Sequence, residues 1–160
     1  MAAAWGKLIG QPGLCLVTRG PGASNVMVAI HNAYQDATPL VVFVGLVPTE
    51  VRGRHAFQEF DLTGWFGSTT KKVLVLDDPD KAAEVVVDAL HTAVSGWPGP
   101  VIIGLPEEVL ADPRVTETVC LPMQPARRSL NLANAVSIAV YEAWRQHDFA
   151  GSAARPDSLD

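Results

Sequence analysis

Four short apolar runs, none of them alternating with polar residues, constrain this chain more than any other feature. They are Leu14-Cys15-Leu16-Val17-Thr18, Leu40-Val41-Val42-Phe43-Val44, Val73-Leu74-Val75-Leu76 and Val101-Ile102-Ile103. A strand with one wet face alternates, whereas a strand that is apolar throughout must be covered on both faces, as in parallel sheets. The segments between the runs have helical periodicity. From Ser24, a good N-cap, apolar residues recur at Val26, Ile30, Ala33 and Tyr34, with His31, Asn32, Gln35 and Asp36 opposite. Asp78-Pro79 supplies an N-cap and a first-turn proline for another helix, with an inner face of Ala83, Val86, Val87, Leu90 and Val94. The pattern predicts an α/β fold: a doubly wound parallel sheet of about four strands with helices on both faces. A C-terminal amphipathic helix is predicted from about Leu130 to Gln146, with Leu132, Val136, Ala139, Val140, Ala143 and Trp144 on one face, followed by a polar tail.

Composition narrows the setting. The chain has 160 residues, 48% hydrophobic and 18% charged, which suits one globular domain rather than a disordered tail. No apolar run approaches the roughly 18 residues of a membrane-spanning helix, and MAAAWGKLIG lacks a secretory profile. Cys15 and Cys120 cannot build a multi-bridge framework, so a reducing cytoplasm is the expected compartment. The net charge is −5, and residues 1–119 carry 8 basic and 13 acidic side chains. That balance argues against whole-surface nucleic-acid binding and leaves only a local patch open. His31, His55, His91 and His147 are scattered without ligand spacing, so no metal site is expected. Ser24, Ser68 and Ser95 have no nucleophile-elbow context, and Cys15 and Cys120 read as small apolar residues.

The loop Thr18-Arg19-Gly20-Pro21-Gly22-Ala23-Ser24-Asn25 lies between a predicted strand and a predicted helix. In open α/β sheets, ligands bind at the carboxyl ends of strands, near free helix N–H groups. Gly20 and Gly22 permit close backbone approach, and Asn25 can hydrogen-bond from the first helical turn. The loop has neither dinucleotide spacing nor a Walker lysine, so a ligand loop and a plain turn both remain open.

The succession GKLIGQPGLCLVTRGPGASN, AYQDATPLVVFVGLVP, RGRHAFQEFD, KKVLVL and GWPGPVIIGLP resembles the pyrimidine-binding N-terminal domain of thiamine diphosphate enzymes, the acetolactate synthase and benzoylformate decarboxylase group. The resemblance covers about residues 1–110. It implies that Gly20, Pro21, Gly22 and Asn25 lie beside the aminopyrimidine ring, that Gln58 faces the cofactor cavity and that Phe57 is substrate-proximal; turn geometry or core packing is the plainer alternative for each. It implies carboligation or decarboxylation of a 2-oxo acid as the parent chemistry. The family's activating glutamate falls shortly before the segment matching Met1–Gly6. The chain is therefore expected to lack it, with the first βα unit, and Glu50, Glu59 and Glu84 do not fall at the motif. Leu46 stands where many relatives have glutamine. The domain holding diphosphate and Mg²⁺ is expected from a partner, either a second subunit of a homo-oligomer or a separate diphosphate-binding domain. Some relatives carry FAD, and Arg52, Arg54 and His55 could face its phosphate, a substrate carboxylate or solvent. The chain alone is expected to be catalytically incompetent.

From about residue 111 to 160 a second domain is expected. LPMQPARRSLNLANAVSIAVYEAWRQHDFAG resembles the C-terminal end of SPOUT, or trefoil-knot, tRNA ribose 2′-O-methyltransferases. That implies S-adenosylmethionine contacts at Leu121, Met123, Ser129 and Asn131, and tRNA or dimer contacts at Tyr141 and Arg145. A capped amphipathic helix is the plainer reading. The alternatives to a thiamine diphosphate domain are thus a methyltransferase relative and a non-catalytic chain that associates through an exposed sheet edge.

Overall fold

The computed structural model describes residues 1–113. These lie within the first of two units, Met1–Thr118 and Val119–Asp160. Helix α1 (Ala2–Ile9) leads into strand β1 (Gly13–Val17), helix α2 (Pro21–Gln35) and strand β2 (Leu40–Leu46). A 3₁₀ turn at Thr49–Val51 and a long loop precede the short helix α3 (Leu62–Phe66) and strand β3 (Lys72–Val75). A second 3₁₀ turn (Pro79–Lys81) opens α4 (Ala82–Val94), and β4 (Pro100–Pro106) and α5 (Glu107–Leu110) complete the described chain.

The four strands form one parallel sheet in the order β1-β2-β4-β3. This is the predicted class and strand number. Parallel crossovers are right-handed, so two successive steps in one direction place their helices on the same face and a reversed step uses the other. The steps β1 to β2 and β2 to β3 run one way, and β3 to β4 runs back. Accordingly, α2 and α3 pack with Leu40, Val42, Val44 and Ile102 on one face, while α4 packs with Val41, Val101 and Ile103 on the other. Both faces of β2 and β4 are therefore buried, as their non-alternating sequences require. Each such side chain removed from water contributes about 1.5–3 kcal/mol.

Several local expectations are corrected. Helix α2 begins at Pro21, not after Ser24, because Gly20 takes the cap position and proline fits the first turn. The Ser24 hydroxyl lies inside the helix and donates to the Pro21 carbonyl at 2.9 Å. The inner stripe of α4 is Ala82, Val85, Val86, Ala89, Leu90 and Ala93. Ala83, Val87 and Val94 face outward, since Val41, Val101 and Ile103 already fill that face and leave room for the small Ala89 and Ala93 against the sheet. Strand β1 is not covered on both faces: Leu14 is 56% and Leu16 38% exposed, because β1 is an edge strand and α4 lies over β4, β2 and β3. Tyr34, placed on the inner face of its helix by periodicity, is exposed. The predicted C-terminal helix lies outside the described residues.

Candidate functional site

The carboxyl ends of the strands converge on one side of the sheet. There β1 runs into Thr18–Gly20, β2 into Val47, and β3 ends at Val75. Between them lies a cleft of about 460 Å³ lined by Arg19, Leu46, Val47, Arg52, Gly53, His55, Gln58, Glu59, Phe60, Asp61, Leu62, Thr63 and Val75. It occupies the place where open α/β sheets bind ligands. Its floor is anchored by the buried Leu62 and Phe66, with Phe60 tilted against Trp65 at a ring-centroid distance of 4.6 Å.

The two loops singled out in the sequence meet here. Gly20 has φ 52 and ψ −104, a backbone that L side chains avoid. A Cβ built on it would stand 2.9 Å from Gln58 Cβ and 3.1 Å from the Gln58 carbonyl oxygen. Gln58 itself has φ 62, and His55 has φ 58, two left-handed non-glycine residues that both line the cleft. Strained backbone of this kind persists only where the surroundings impose it, and it clusters at functional sites.

The other expected residues are placed less centrally. Gly22 packs against Thr18, where a Cβ would lie 2.7 Å from the threonine methyl. Pro21 and Asn25 are exposed at the start of α2 and do not line the cleft. Phe57 is 80% exposed and does not line the cleft. Of the basic trio, Arg52 and His55 line the cleft and Arg54 does not. Sequence reasoning missed Arg19, Val47 and the Phe60–Thr63 wall; a position at a strand carboxyl end was the available signal for Arg19 and Val47, whereas Phe60–Thr63 leads into α3 and had none.

Polar contacts fix the rim. Arg19 pairs with Glu107 at 3.1 Å, and Arg52 pairs with Asp77 at 3.0 Å while also donating to the Thr49 hydroxyl at 3.3 Å. The Glu108 carboxylate accepts the Thr49 N–H at 3.1 Å. Partial burial pushes the Glu108 carboxyl up, but its hydrogen bonds from Thr49 and the charge of Arg52 outweigh this and hold it below its ordinary value. Both carboxylates that line the cleft are committed to backbone. Asp61 caps α3 by accepting the Gly64 N–H at 3.0 Å. Glu59 accepts the N–H groups of Gly53 and Ala56, and these hydrogen bonds, with the nearby His55, lower its carboxyl. Cys15 is half-buried in β1, and burial pushes its thiol up, the opposite of what a reactive cysteine needs. Among the described residues no three His, Cys, Asp or Glu side chains are grouped to hold a metal ion, and no helix is long and apolar enough to cross a membrane.

Residues 1–65 match the family described as thiamine pyrophosphate enzyme, N-terminal TPP binding domain. The chain is also similar to the mitochondrial acetolactate synthase catalytic subunit of Saccharomyces cerevisiae, 41% identical over 69% of this chain and 16% of the relative. The mitochondrial acetolactate synthase of Schizosaccharomyces pombe is 44% identical over 69% of this chain and 16% of its own length. Acetolactate synthase isozyme 3 large subunit of Escherichia coli is 39% identical over 69% of this chain and 19% of its own. The chain thus spans under a fifth of the length of these curated relatives. The positions tied to the methyltransferase resemblance, Leu121, Met123, Ser129, Asn131, Tyr141 and Arg145, lie outside the described residues.

Proposed function

We propose that residues 1–110 form the pyrimidine-facing wall of a thiamine diphosphate site serving carboligation or decarboxylation of a 2-oxo acid, in the manner of acetolactate synthase. Gly20, Pro21, Gly22, Asn25 and Gln58 are assigned to the cofactor side and Phe57 to the substrate side. The observation that carries this reading is the contact between Gly20 and Gln58, distant in sequence, at the carboxyl end of the sheet. An aminopyrimidine presents both N–H donors and ring-nitrogen acceptors, and the carboxamides of Gln58 and Asn25 offer the complementary pair of groups. Of the two, Gln58 lines the cleft and Asn25 does not, so the fit to that polar edge rests on Gln58.

When bound, thiamine diphosphate supplies the carbon nucleophile that adds to the 2-oxo carbonyl. The chain's own contribution is placement. The Gly20 loop sets how closely the ring approaches, and Gln58 fixes its orientation. Glu59 and Asp61 are occupied by backbone N–H groups, so neither is assigned to activation of the ring. Diphosphate and Mg²⁺ are assigned to a partner surface, on a second copy or a separate diphosphate-binding domain. Nothing among the described residues favours FAD, S-adenosylmethionine or tRNA, and none enters the reading. A reducing cytoplasm remains the proposed compartment.

The test is an amide-resolved NMR titration of the chain with thiamine diphosphate and, separately, with 4-amino-2-methylpyrimidine. Concentration-dependent shifts centred on Gly20, Gly22, Asn25 and Gln58 are expected with either compound. Shifts confined elsewhere, or none at millimolar ligand, would overturn the reading. One observation favours a second reading, self-association: edge strand β1 exposes Leu14 and Leu16 and, among the described residues, has no strand paired on its outer side.

A further inference from the structure

The loop that presents Gln58 is held by a side chain outside the assigned cofactor-facing set. Glu59 turns back along its own loop, where one carboxylate oxygen accepts the Gly53 N–H and the other accepts the Ala56 N–H at 3.0 Å. Around these two anchor points the backbone is left-handed at Gly53 (φ 79), His55 (φ 58) and Gln58 (φ 62). Two of those three residues carry a Cβ that resists this conformation. A conformation so disfavoured needs something to hold it, and the Glu59 carboxylate bridges the segment that contains His55 and adjoins Gln58.

We infer that Glu59 is a positioning residue: its ionised carboxylate holds the loop in the left-handed geometry that sets Gln58 against Gly20 at the mouth of the cleft. The inference rests on the proposed cofactor role of Gln58 for its functional consequence, but the latch itself does not. An ionised carboxylate is acceptor-only and suits two converging N–H donors, whereas a protonated one turns a donor toward one of them. Acid therefore opens the latch. The charged groups around it are His55 on the same loop, Arg19 from the end of β1, Arg52 after the 3₁₀ turn and Asp61 at the start of α3. Arg19 and Arg52 are paired with Glu107 and Asp77, and Asp61 is occupied by Gly64, which leaves His55 as the neighbour that adds charge. The lowered Glu59 carboxyl, held down first by the Gly53 and Ala56 hydrogen bonds and then by His55, agrees with this arrangement.

The test reads the loop directly in the full chain. In the wild type, the Gly53 and Ala56 amide resonances are expected to titrate together, with a midpoint below the ordinary 4.5 of a glutamate. In Glu59→Gln the titration vanishes, both amides exchange about tenfold faster, and the Gln58 resonance moves. Affinity for 4-amino-2-methylpyrimidine falls about tenfold in the same variant. Wild-type amides that do not titrate, or an unmoved Gln58 resonance in Glu59→Gln, overturn the latch; the wild-type titration requires no variant to fold. If the wild type binds the pyrimidine at Gly20 and Gln58 and the variant binds it equally well, the positioning role fails while the cofactor reading stands. If the wild type does not bind it, the cofactor reading fails, and the amide titration still decides the latch.

Discussion

Replacing Gly20 with alanine is expected to cost about 2–6 kcal/mol of stability, from two sources that can be separated. The first is backbone: φ 52 with ψ −104 lies outside the left-handed helical well, and holding an L residue there costs about 1–3 kcal/mol. The second is steric, since the new Cβ would meet Gln58 Cβ at 2.9 Å and the Gln58 carbonyl oxygen at 3.1 Å. Forcing a packed neighbour aside costs about 1–3 kcal/mol. Gly10 gives a positive-φ reference free of steric contact, because it ends α1 in the milder left-handed well at φ 73 and ψ 8 and has nothing within 4 Å of an added Cβ. Gly10→Ala should therefore lose only about 1–2 kcal/mol. Gln58→Gly relieves a left-handed residue and removes the Cβ that the new methyl would strike, so Gly20→Ala should cost less in that background. A coupling of at least about 0.5 kcal/mol is expected, with partial recovery because the carbonyl contact persists. Urea unfolding followed by circular dichroism gives all four corners of the cycle, with unchanged m-values as the check on state. Equal losses for Gly10→Ala and Gly20→Ala, or a cycle without coupling, would show that the two loops do not touch as described.

Other predictions probe the scaffold. Ala89→Leu, at a fully buried position beneath α4, should lose about 1–3 kcal/mol by overpacking, whereas Val87→Ala, 65% exposed, should stay within about 0.5 kcal/mol; the reverse order in thermal melts would restore the outward-facing stripe as the core. Asp88, held down by its hydrogen bond from Lys72, and Glu108 both have lowered carboxyls. Their contribution is full above the ordinary values of 3.8 and 4.5 and is lost as pH falls through the lower folded values. The acid limb of a Tm-against-pH curve should therefore flatten in Asp88→Asn/Glu108→Gln, and an unchanged limb would dismiss the linkage. Leu14→Lys on the outer strand should leave stability within about 0.5 kcal/mol while suppressing concentration-dependent association in light scattering. A wild type that stays monomeric at high concentration would remove the self-association reading.

The sheet was legible because β2 and β4 are buried on both faces, and a run such as Leu40–Val44 has no other stable home. Strand β1 has the same composition, yet Leu14 and Leu16 are exposed: burial at an edge depends on what lies beside the strand, which its own residues do not encode. The α4 stripe was misread by one position because valines carry more hydrophobic signal than alanines, while the crowded sheet surface selects the smaller side chain. Helix α1 escaped notice because it buries the backbone at Gly6 rather than an apolar stripe, leaving Trp5, Leu8 and Ile9 exposed. At the site, Gly20 and Gln58 belong to recognisable segments. Arg19 was marked only by its place after β1; its pairing with Glu107, far along the chain, has no local signal.

The contacts that close the rim of the cleft also order its assembly in time. Arg19 waits for Glu107, Thr49 waits for Glu108, and the central pairing of Leu40 with Pro100 cannot form until β4 exists. Long-range parallel pairing must meet its loop-closure entropy before any contact rewards it. On a ribosome adding roughly 5–20 residues per second, β1, α2 and β2 would emerge seconds before their central neighbour. The glycine loop is thus made early but receives its final shape last, and until β4 docks the nascent sheet exposes the apolar edge strand β2.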